Sequence, residues 1–215
     1  MSRASRLVGF VYTVAAATII TLTGPLLLFS PWFVSFEQLR NEAAPALGVD
    51  QAAVDRVTGT ILFDLATRGD FDVSLDGRQP LLDAMERSHM RDVSGLVRIL
   101  VAVLAAAILL FAISRAWLRE RWRRGRLLVL AAAAIGAVAV VLAIIFAVAF
   151  EPAFLAFHAL FFAQGTYLFG PDSNLIKLFP EGFWFESSLV AGASIVLAAL
   201  LIGLLGWRLM RQRDA

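Results

Sequence analysis

The sequence predicts an all-α membrane protein with four transmembrane helices. Hydrophobic residues make up 60% of the 215 residues and charged residues only 17%, whereas soluble domains contain roughly 45–50% and about 25%. Four apolar stretches are each long enough to cross roughly 30 Å of hydrocarbon. These stretches are residues 7–29, 96–114, 127–150 and 187–207. Arginines cluster beside alternate ends of the stretches, which is the charge pattern of a multi-pass membrane protein.

The first span, residues 7–29, contains no charged residue and follows Arg3 and Arg6. Its apolar run is too long for a signal-peptide core of about 7–15 residues, and no small-x-small cleavage pattern follows it. The sequence therefore predicts a retained transmembrane helix with a cytoplasmic N-terminus. Pro31 and Trp32 mark its outer edge.

Residues 30–95 form a polar insertion that we expect to be mostly helical and extracytoplasmic. Ser35 and Gln38 have the spacing of a capping box at the start of a helix. Asp50 is placed to cap a second helix, which Gly69 ends.

The end of the insertion combines a strand pattern with a third helix. Residues 71–75 alternate apolar and polar side chains, which predicts a short strand, and Asp76-Gly77 indicates a turn after it. Pro80 stands where a helix can begin, and that helix carries His89, one of only two histidines in the chain.

His89 lies at the centre of an apolar helical stripe, where burial disfavours its charged form. The stripe consists of Leu82, Met85, His89, Val93 and Leu96, with Arg91 on the opposite side. Glu86 and Asp92 lie three residues before and after His89, within side-chain reach on a helix. Carboxylates beside an imidazole fix its tautomer and raise its basicity. The alternative is a core histidine at the end of a membrane helix.

The remaining spans and their flanking charges predict the orientation. Arg98 lies near the outer end of the second span, 96–114, and can snorkel. The predicted cytoplasmic segments are the N-terminus, the loop 115–126 and the tail 208–215, with two, six and three arginines. They hold 11 of the 19 basic residues but only 2 of the 17 acidic residues. Both termini are therefore predicted to be cytoplasmic.

The second outer loop, residues 151–186, is predicted to be a short aromatic re-entrant or interfacial loop. Pro152 suits the first turn of a helix, on which His158 shares a face with Phe161 and Phe162. These rings can form an aromatic belt at the membrane interface or a pocket for acyl chains. Because both histidines are predicted at outer ends of spans, we expect their imidazoles to lie within about 10 Å and to share one substrate.

Three stretches resemble the signatures of a bacterial family of four-span membrane proteins that includes the lipoprotein intramolecular transacylases. Residues 86–93 are similar to its signature E-x-x-H-M-x-D-V, and residues 157–162 to F-H-x-x-F-F. Residues 173–183 resemble D-x-L-I-x-x-x-P-E-x-F. The chain departs from the family pattern at several positions: Ser173 replaces the opening Asp, Tyr167 stands at a Trp position, and Gln164, Gly165 and Gly170 occupy a tract that carries acidic residues in the family.

The resemblance implies an activity in the bacterial cytoplasmic membrane. Members of the family move the sn-2 acyl chain of a diacylglyceryl group onto the α-amino group of the same lipoprotein N-terminal cysteine. The resemblance implies that His158 and His89 transfer protons and that Glu86 or Asp92 orients His89. Weaker candidates as hydrogen-bond donors are Tyr167, Arg91 and Asn174. The expected partners are membrane lipid and a lipoprotein with a diacylglyceryl-cysteine. Because the attack is intramolecular, positioning supplies much of the rate and no enzyme nucleophile is required. No cofactor is expected.

Two other functions fit the same residues. A lipid-ester hydrolase could bind zinc through the histidines and nearby carboxylates, namely His89, His158, Glu86, Asp92, Glu151 and Glu181, but no compact ligand spacing is present, so no metal is expected. The second alternative is a non-catalytic lipid- or lipoprotein-binding membrane module. The absence of cysteine excludes disulfides and a thiol nucleophile, and no nucleic-acid-binding motif is present.

Overall fold

The computed structural model describes residues 3–75, 77 and 79–212, which form nine α-helices. They are α1 (Arg3–Leu27), α2 (Pro31–Arg40), α3 (Ala43–Leu47), α4 (Gln51–Thr67), α5 (Ala84–Trp117), α6 (Arg121–Val148), α7 (Phe150–Phe161), α8 (Asn174–Leu178) and α9 (Glu181–Arg211). Asp76 of the predicted turn, and Arg213 and Asp214 of the predicted tail, lie outside the described residues.

Four of the described helices, α1, α5, α6 and α9, are long and apolar enough to cross a membrane. The predicted all-α membrane fold with four transmembrane helices is therefore confirmed. Helix α5 has 34 residues and is about 51 Å long at 1.5 Å per residue. It therefore contains both His89 and the predicted span 96–114 in one continuous helix.

Helix α5 begins at Ala84, four residues after Pro80, because Asp83 caps it. The Asp83 Oδ1 atom accepts hydrogen bonds from the backbone N–H groups of Met85 and Glu86, each at 2.8 Å. The Glu86 Oε2 atom accepts the Asp83 N–H at 2.8 Å in return. This is a capping box, and the D-x-x-E spacing of Asp83 and Glu86 was its signal in the sequence.

The chain divides into two compact units, and the first consists of residues up to 27, 100–144 and from 190 onward. Its helices α6 and α9 meet at Gly125 and Gly206. A Cβ on Gly125 would lie 2.3 Å from the carbonyl oxygen of Gly206, so only glycine fits. Small residues at such crossings let the backbones of membrane helices approach closely.

The second unit, residues 28–99 and 145–189, is organised around a buried glutamine. Gln38 of α2 is fully buried. Its Nε2 donates to the carbonyl oxygen of Leu178 in α8 at 3.0 Å, and its Oε1 accepts from the Thr58 hydroxyl of α4 at 3.0 Å. With both ends of the amide paired, Gln38 joins three helices without leaving a buried polar group unsatisfied.

The predicted capping box at Ser35 is wrong. Helix α2 begins at Pro31, with Ser30 as its N-cap residue, so Ser35 lies inside the helix. The Ser35 hydroxyl donates to Asp55 Oδ1 at 2.7 Å instead. The predicted cap at Asp50 is confirmed, because its carboxylate accepts the backbone N–H of Ala53 at 2.7 Å.

The short strand predicted at residues 71–75 is also wrong, since the described part of the chain contains no strand. Phe71 has a φ of 55°, outside the extended region, and its N–H donates to Asp64 Oδ2 at 2.9 Å. The alternation was nevertheless meaningful, because Phe71 and Val73 are both buried. Two buried side chains give the pattern of a strand even where no neighbouring strand is present to pair with.

Candidate active site

The two histidines of the chain lie side by side in the second unit. Their ring centroids are 6.0 Å apart and the ring planes are inclined by 27°. The predicted proximity of the imidazoles is therefore confirmed. His89 on α5 is only 6% exposed, and His158 on α7 is half-buried.

Aromatic rings surround both imidazoles. Phe162 and Phe169 lie 5.0 Å and 5.6 Å from the His89 centroid with their rings at steep angles. Phe154 lies 4.1 Å and Tyr167 5.3 Å from the His158 centroid. Phe162 is shared, since it is also 5.5 Å from His158. The histidines therefore lie in apolar surroundings suited to a lipid chain.

The tautomer of His158 follows from its hydrogen bond. Its Nδ1 atom lies 2.8 Å from the carbonyl oxygen of Phe154. A carbonyl only accepts, so Nδ1 carries the proton and donates it, which leaves a lone pair on Nε2. Burial lowers the pKa of His158 from its usual 6.5, although the bond to Phe154 opposes this shift. His158 is therefore a neutral imidazole at neutral pH and can accept a proton at Nε2.

Neither predicted carboxylate forms a hydrogen bond with His89 within the described ranges, although the negative charge of Asp92 acts on its imidazole. Its Nδ1 atom is buried and has no hydrogen-bond partner among the described residues. The buried carboxylate of Glu86 instead accepts the Leu175 N–H at 3.0 Å and the Ser173 hydroxyl, in addition to the Asp83 N–H. Glu86 therefore joins the start of α5 to the start of α8 rather than orienting the imidazole.

The same contact explains Ser173, which stands where the family signature has an aspartate. The Ser173 hydroxyl accepts the N–H of Ile176 at 3.3 Å as the N-cap of α8, and donates to Glu86 Oε1. An ionised Asp can cap a helix but has no proton to donate. The neighbouring Asn174 is also occupied, because its amide donates to the carbonyl oxygen of Leu81 at 2.8 Å. Asn174 is thus a structural link.

Of the other predicted site residues, only Tyr167 contacts a histidine ring. Arg91 and Asp92 are exposed, and neither makes a hydrogen bond or ion pair with another described residue. Within the described ranges, no three His, Asp or Glu side chains converge in a group that could hold a metal ion.

A buried carboxyl group that the sequence pattern did not indicate is Glu37 of α2, which lies beside the half-buried Glu186. Glu37 is 3% exposed, and the Oε2 atoms of both residues are buried without a hydrogen-bond partner among the described residues. Burial, and then Glu186, raise the pKa of Glu37 to about 7. Arg40 forms an ion pair with Glu186 at 3.2 Å. The helical spacing of Glu37 and Arg40 was visible, but nothing in the sequence indicated that Glu186 would join them.

This pair predicts a pH-dependent stability. The pKa of Glu37 is raised from 4.5 to about 7 in the folded state, so the folded state retains a proton that the unfolded state loses. Its contribution to stability is present below pH 4.5 and is lost as the pH rises to about 7. We expect the Tm of the wild type in detergent to fall between pH 5 and pH 8, and that of Glu37→Gln to fall by several degrees less. Glu42→Gln, at an exposed position of the same unit, is the matched control. An equal fall in all three proteins would contradict the prediction.

Comparison with known proteins links the whole fold to one family. The family model described as "Lipoprotein intramolecular transacylase Lit" matches residues 7–184. The comparison with curated proteins gave no match.

A solved structure of the membrane integral lipoprotein intramolecular transacylase Lit from Bacillus cereus is 19% identical and has a TM-score of 0.88. The match covers 100% of this chain and 99% of that one. Two structures of the same Bacillus cereus protein, with one histidine replaced by arginine or by alanine, have TM-scores of 0.79 and 0.80 at 19% identity. They cover 98% of this chain and 94% and 96% of their own.

Proposed function

Because this chain belongs to the lipoprotein intramolecular transacylase (Lit) family, we propose that it acts on lipoproteins in the bacterial cytoplasmic membrane. The reaction moves the sn-2 acyl chain of the diacylglyceryl group onto the α-amino group of the same N-terminal cysteine. The observation that supports it best is the pair of imidazoles 6.0 Å apart among phenylalanine side chains. An acyl transfer between two groups of one amphiphile needs proton transfer and an apolar pocket together.

The reaction exchanges one bond to the acyl carbon for another. The amine nitrogen attacks the ester carbonyl and forms the C–N bond, and the C–O bond to the glyceryl oxygen then breaks. The nitrogen loses one proton and the leaving oxygen gains one, so the transfer from the neutral amine needs no net proton. Both reacting groups belong to the same molecule, so their positioning supplies much of the rate and no enzyme nucleophile is needed.

The proton-transfer role of His158 follows from its tautomer, and that of His89 from its position beside His158. His158 has a lone pair on Nε2, because its Nδ1 donates to Phe154, and it takes the proton from the nitrogen. The proton that His158 takes up passes to the neighbouring His89, whose ring lies 6.0 Å away, and His89 delivers it to the leaving oxygen, so both imidazoles end the cycle neutral. Tyr167, whose ring is 5.3 Å from His158, is a positioning residue that packs against the base. Glu86 supports the site through α8, Asp92 acts on His89 through its charge alone, and Arg91 has no proposed role.

The orientation is a further part of the proposal, with both termini cytoplasmic and the histidine site facing outward. We expect a cysteine introduced at Asp70 to react with an impermeant thiol reagent on whole cells, and one introduced at Arg119 to react only after permeabilisation. Both positions are exposed, and the chain has no cysteine of its own. Labelling of Arg119→Cys on intact cells would overturn the orientation.

The activity is tested in a bacterium whose lipoproteins carry diacylated cysteine with a free amine. Expression of this protein should convert those termini to N-acylated, mono-acylglyceryl forms, which mass spectrometry of the N-terminal peptides distinguishes. The positive control is a family member of known activity expressed in the same strain. Unchanged termini with this protein, when the control shifts them, would reject the transacylase and favour the non-catalytic lipid- or lipoprotein-binding module.

A further inference from the structure

A cavity with a volume of about 320 Å³ lies within the first unit. Three arginines line it, Arg115 at the end of α5 and Arg121 and Arg124 in the first turns of α6. Gln212, just beyond the end of α9, completes the polar side. The cavity therefore gathers positive charge from two helices at one place.

The opposite side of this cavity is apolar. Tyr12 and Leu128 are each only 2% exposed, and the rings of Tyr12 and Phe111 stack at 4.7 Å. Leu205 is 48% exposed and also lines the cavity, so the apolar wall continues to the outer surface of the helices. A cavity with arginines on one side and apolar residues on the other is complementary to an amphiphile with an anionic headgroup.

The three arginines lack a counter-ion within the described part of the protein. The ion pairs there are Arg40–Glu186 and Arg87–Asp72, and neither involves this cavity. Arg121 donates to Gln212 Oε1 at 3.3 Å, and the Nε atom of Arg124 is buried without a hydrogen-bond partner among these residues. Burying the Nε group of Arg124 is costly unless it is hydrogen-bonded, which an anion in the cavity would provide. The planar guanidinium group matches phosphate oxygens in a bidentate manner.

Other arginines of the same loop are arranged differently, so the convergence is not a general property of a basic loop. Arg123 donates to the hydroxyl and the carbonyl oxygen of Ser5. Arg126 lies over the Trp122 ring at 5.8 Å, and Arg119 is exposed in the break between α5 and α6. Neither Arg119 nor Arg126 lines the cavity.

We propose that Arg115, Arg121 and Arg124 bind the phosphate group of an anionic phospholipid, with an acyl chain of that lipid against Phe111 and Leu205, the accessible part of the apolar wall. A basic pocket between membrane helices on the predicted cytoplasmic side is suited to anionic headgroups. Free phosphate offers the same charge, but it leaves the apolar wall unused. This site is independent of the transacylase activity, because it shares no residue with the histidine pocket.

The test is native mass spectrometry of the purified protein with phosphatidylglycerol and phosphatidylcholine in equal amounts. We expect phosphatidylglycerol to be retained over phosphatidylcholine by about tenfold or more, a preference that a single well-paired ionic contact can supply. The double variant Arg115→Gln/Arg124→Gln should lose this preference. The matched control Arg119→Gln/Arg126→Gln removes the same charge and should keep it. A large excess of inorganic phosphate should leave the lipid bound.

Three outcomes would overturn the proposal. The first is that the wild type retains the two lipids equally. The second is that both double variants lose the preference to the same extent. The third is that inorganic phosphate displaces the lipid, which would indicate a free-anion site. If Arg115→Gln/Arg124→Gln does not fold, the wild-type selectivity and the phosphate competition still decide the question. The result is also separate from the lipoprotein assay, because lipid retention is measured without any lipoprotein substrate.

Discussion

Replacing His158 with alanine should abolish the conversion of diacylated lipoprotein termini while the protein still accumulates in the membrane. The attacking nitrogen must lose a proton for the amide to form, and His158 is the imidazole whose tautomer leaves a lone pair on Nε2 to take it. Since His158 lies in α7 rather than in one of the four membrane-length helices, its loss should not prevent insertion. The readouts are mass spectrometry of the lipoprotein N-termini and the amount of protein in the membrane fraction.

A conservative variant separates proton transfer from packing. The side-chain amide of His158→Asn can reproduce the Nδ1 donation to the Phe154 carbonyl but cannot take up a proton. We therefore expect His158→Asn to be as inactive as His158→Ala, with a Tm closer to that of the wild type. Phe161, which is exposed on the same helix, provides the control variant Phe161→Ala. Substantial conversion by His158→Asn would show that His158 has only a structural role.

The same base predicts the pH dependence of the wild-type enzyme. His158 must be unprotonated to act, and burial lowers its pKa from 6.5. Conversion should therefore rise with pH through a midpoint below 6.5 and should be complete by neutral pH. A midpoint at or above 6.5 would contradict the assignment of His158 as the base.

Replacing His89 with alanine should lower the rate of conversion by about 10²–10⁴-fold, the usual effect of losing a general acid–base partner. His89 is buried, its ring lies 6.0 Å from that of His158, and in the proposed reaction it protonates the leaving oxygen. A residual rate is expected because positioning and the first proton transfer remain. The measurement is the same assay followed over time, so that a slow conversion is distinguished from none.

Asp92→Asn on the same helix is the matched control for His89→Ala. Asp92 is exposed and acts on His89 through its charge without a hydrogen bond, so its amide should lower the rate far less than His89→Ala does. This differs from the sequence-based expectation that Asp92 or Glu86 orients His89. If Asp92→Asn reduced conversion as strongly as His89→Ala, the assignment of a purely electrostatic, secondary role to Asp92 would be wrong.

The sequence predicted the features that depend on local composition. Hydropathy and arginine placement identify membrane helices because transfer into lipid is decided segment by segment. The proximity of His89 and His158 also followed, since both were expected at the same side of a small bundle. Asp50 was identified as a helix cap because its bond to Ala53 is three residues away.

The predictions that were wrong concern side chains whose hydrogen-bond partners are distant in the sequence. Ser35 and Gln38 have capping-box spacing, but the hydroxyl of Ser35 donates to Asp55 instead. The amide of Gln38 donates to the carbonyl oxygen of Leu178, 140 residues away in the chain. Glu86 resembled an orienting carboxylate because His89 is one turn away on the same helix. Its actual partners, at Ser173 and Leu175, were not visible in the periodicity of one helix. A polar side chain in a core bonds to whichever group the fold brings near, which local spacing does not encode.

The long-range contacts of Glu86 also set an order in which the protein is assembled. Its partners Ser173 and Leu175 come 87 and 89 residues later in the chain, so its carboxylate must stay hydrated during synthesis until that segment has emerged. Closing so long a loop is entropically costly and slow compared with forming a helix. Helix α5 can therefore form early, whereas the surroundings of His89 are completed only near the end of translation. In a chain whose synthesis stops before residue 173, Glu86 keeps the Asp83 N–H on Oε2 but lacks both partners of Oε1.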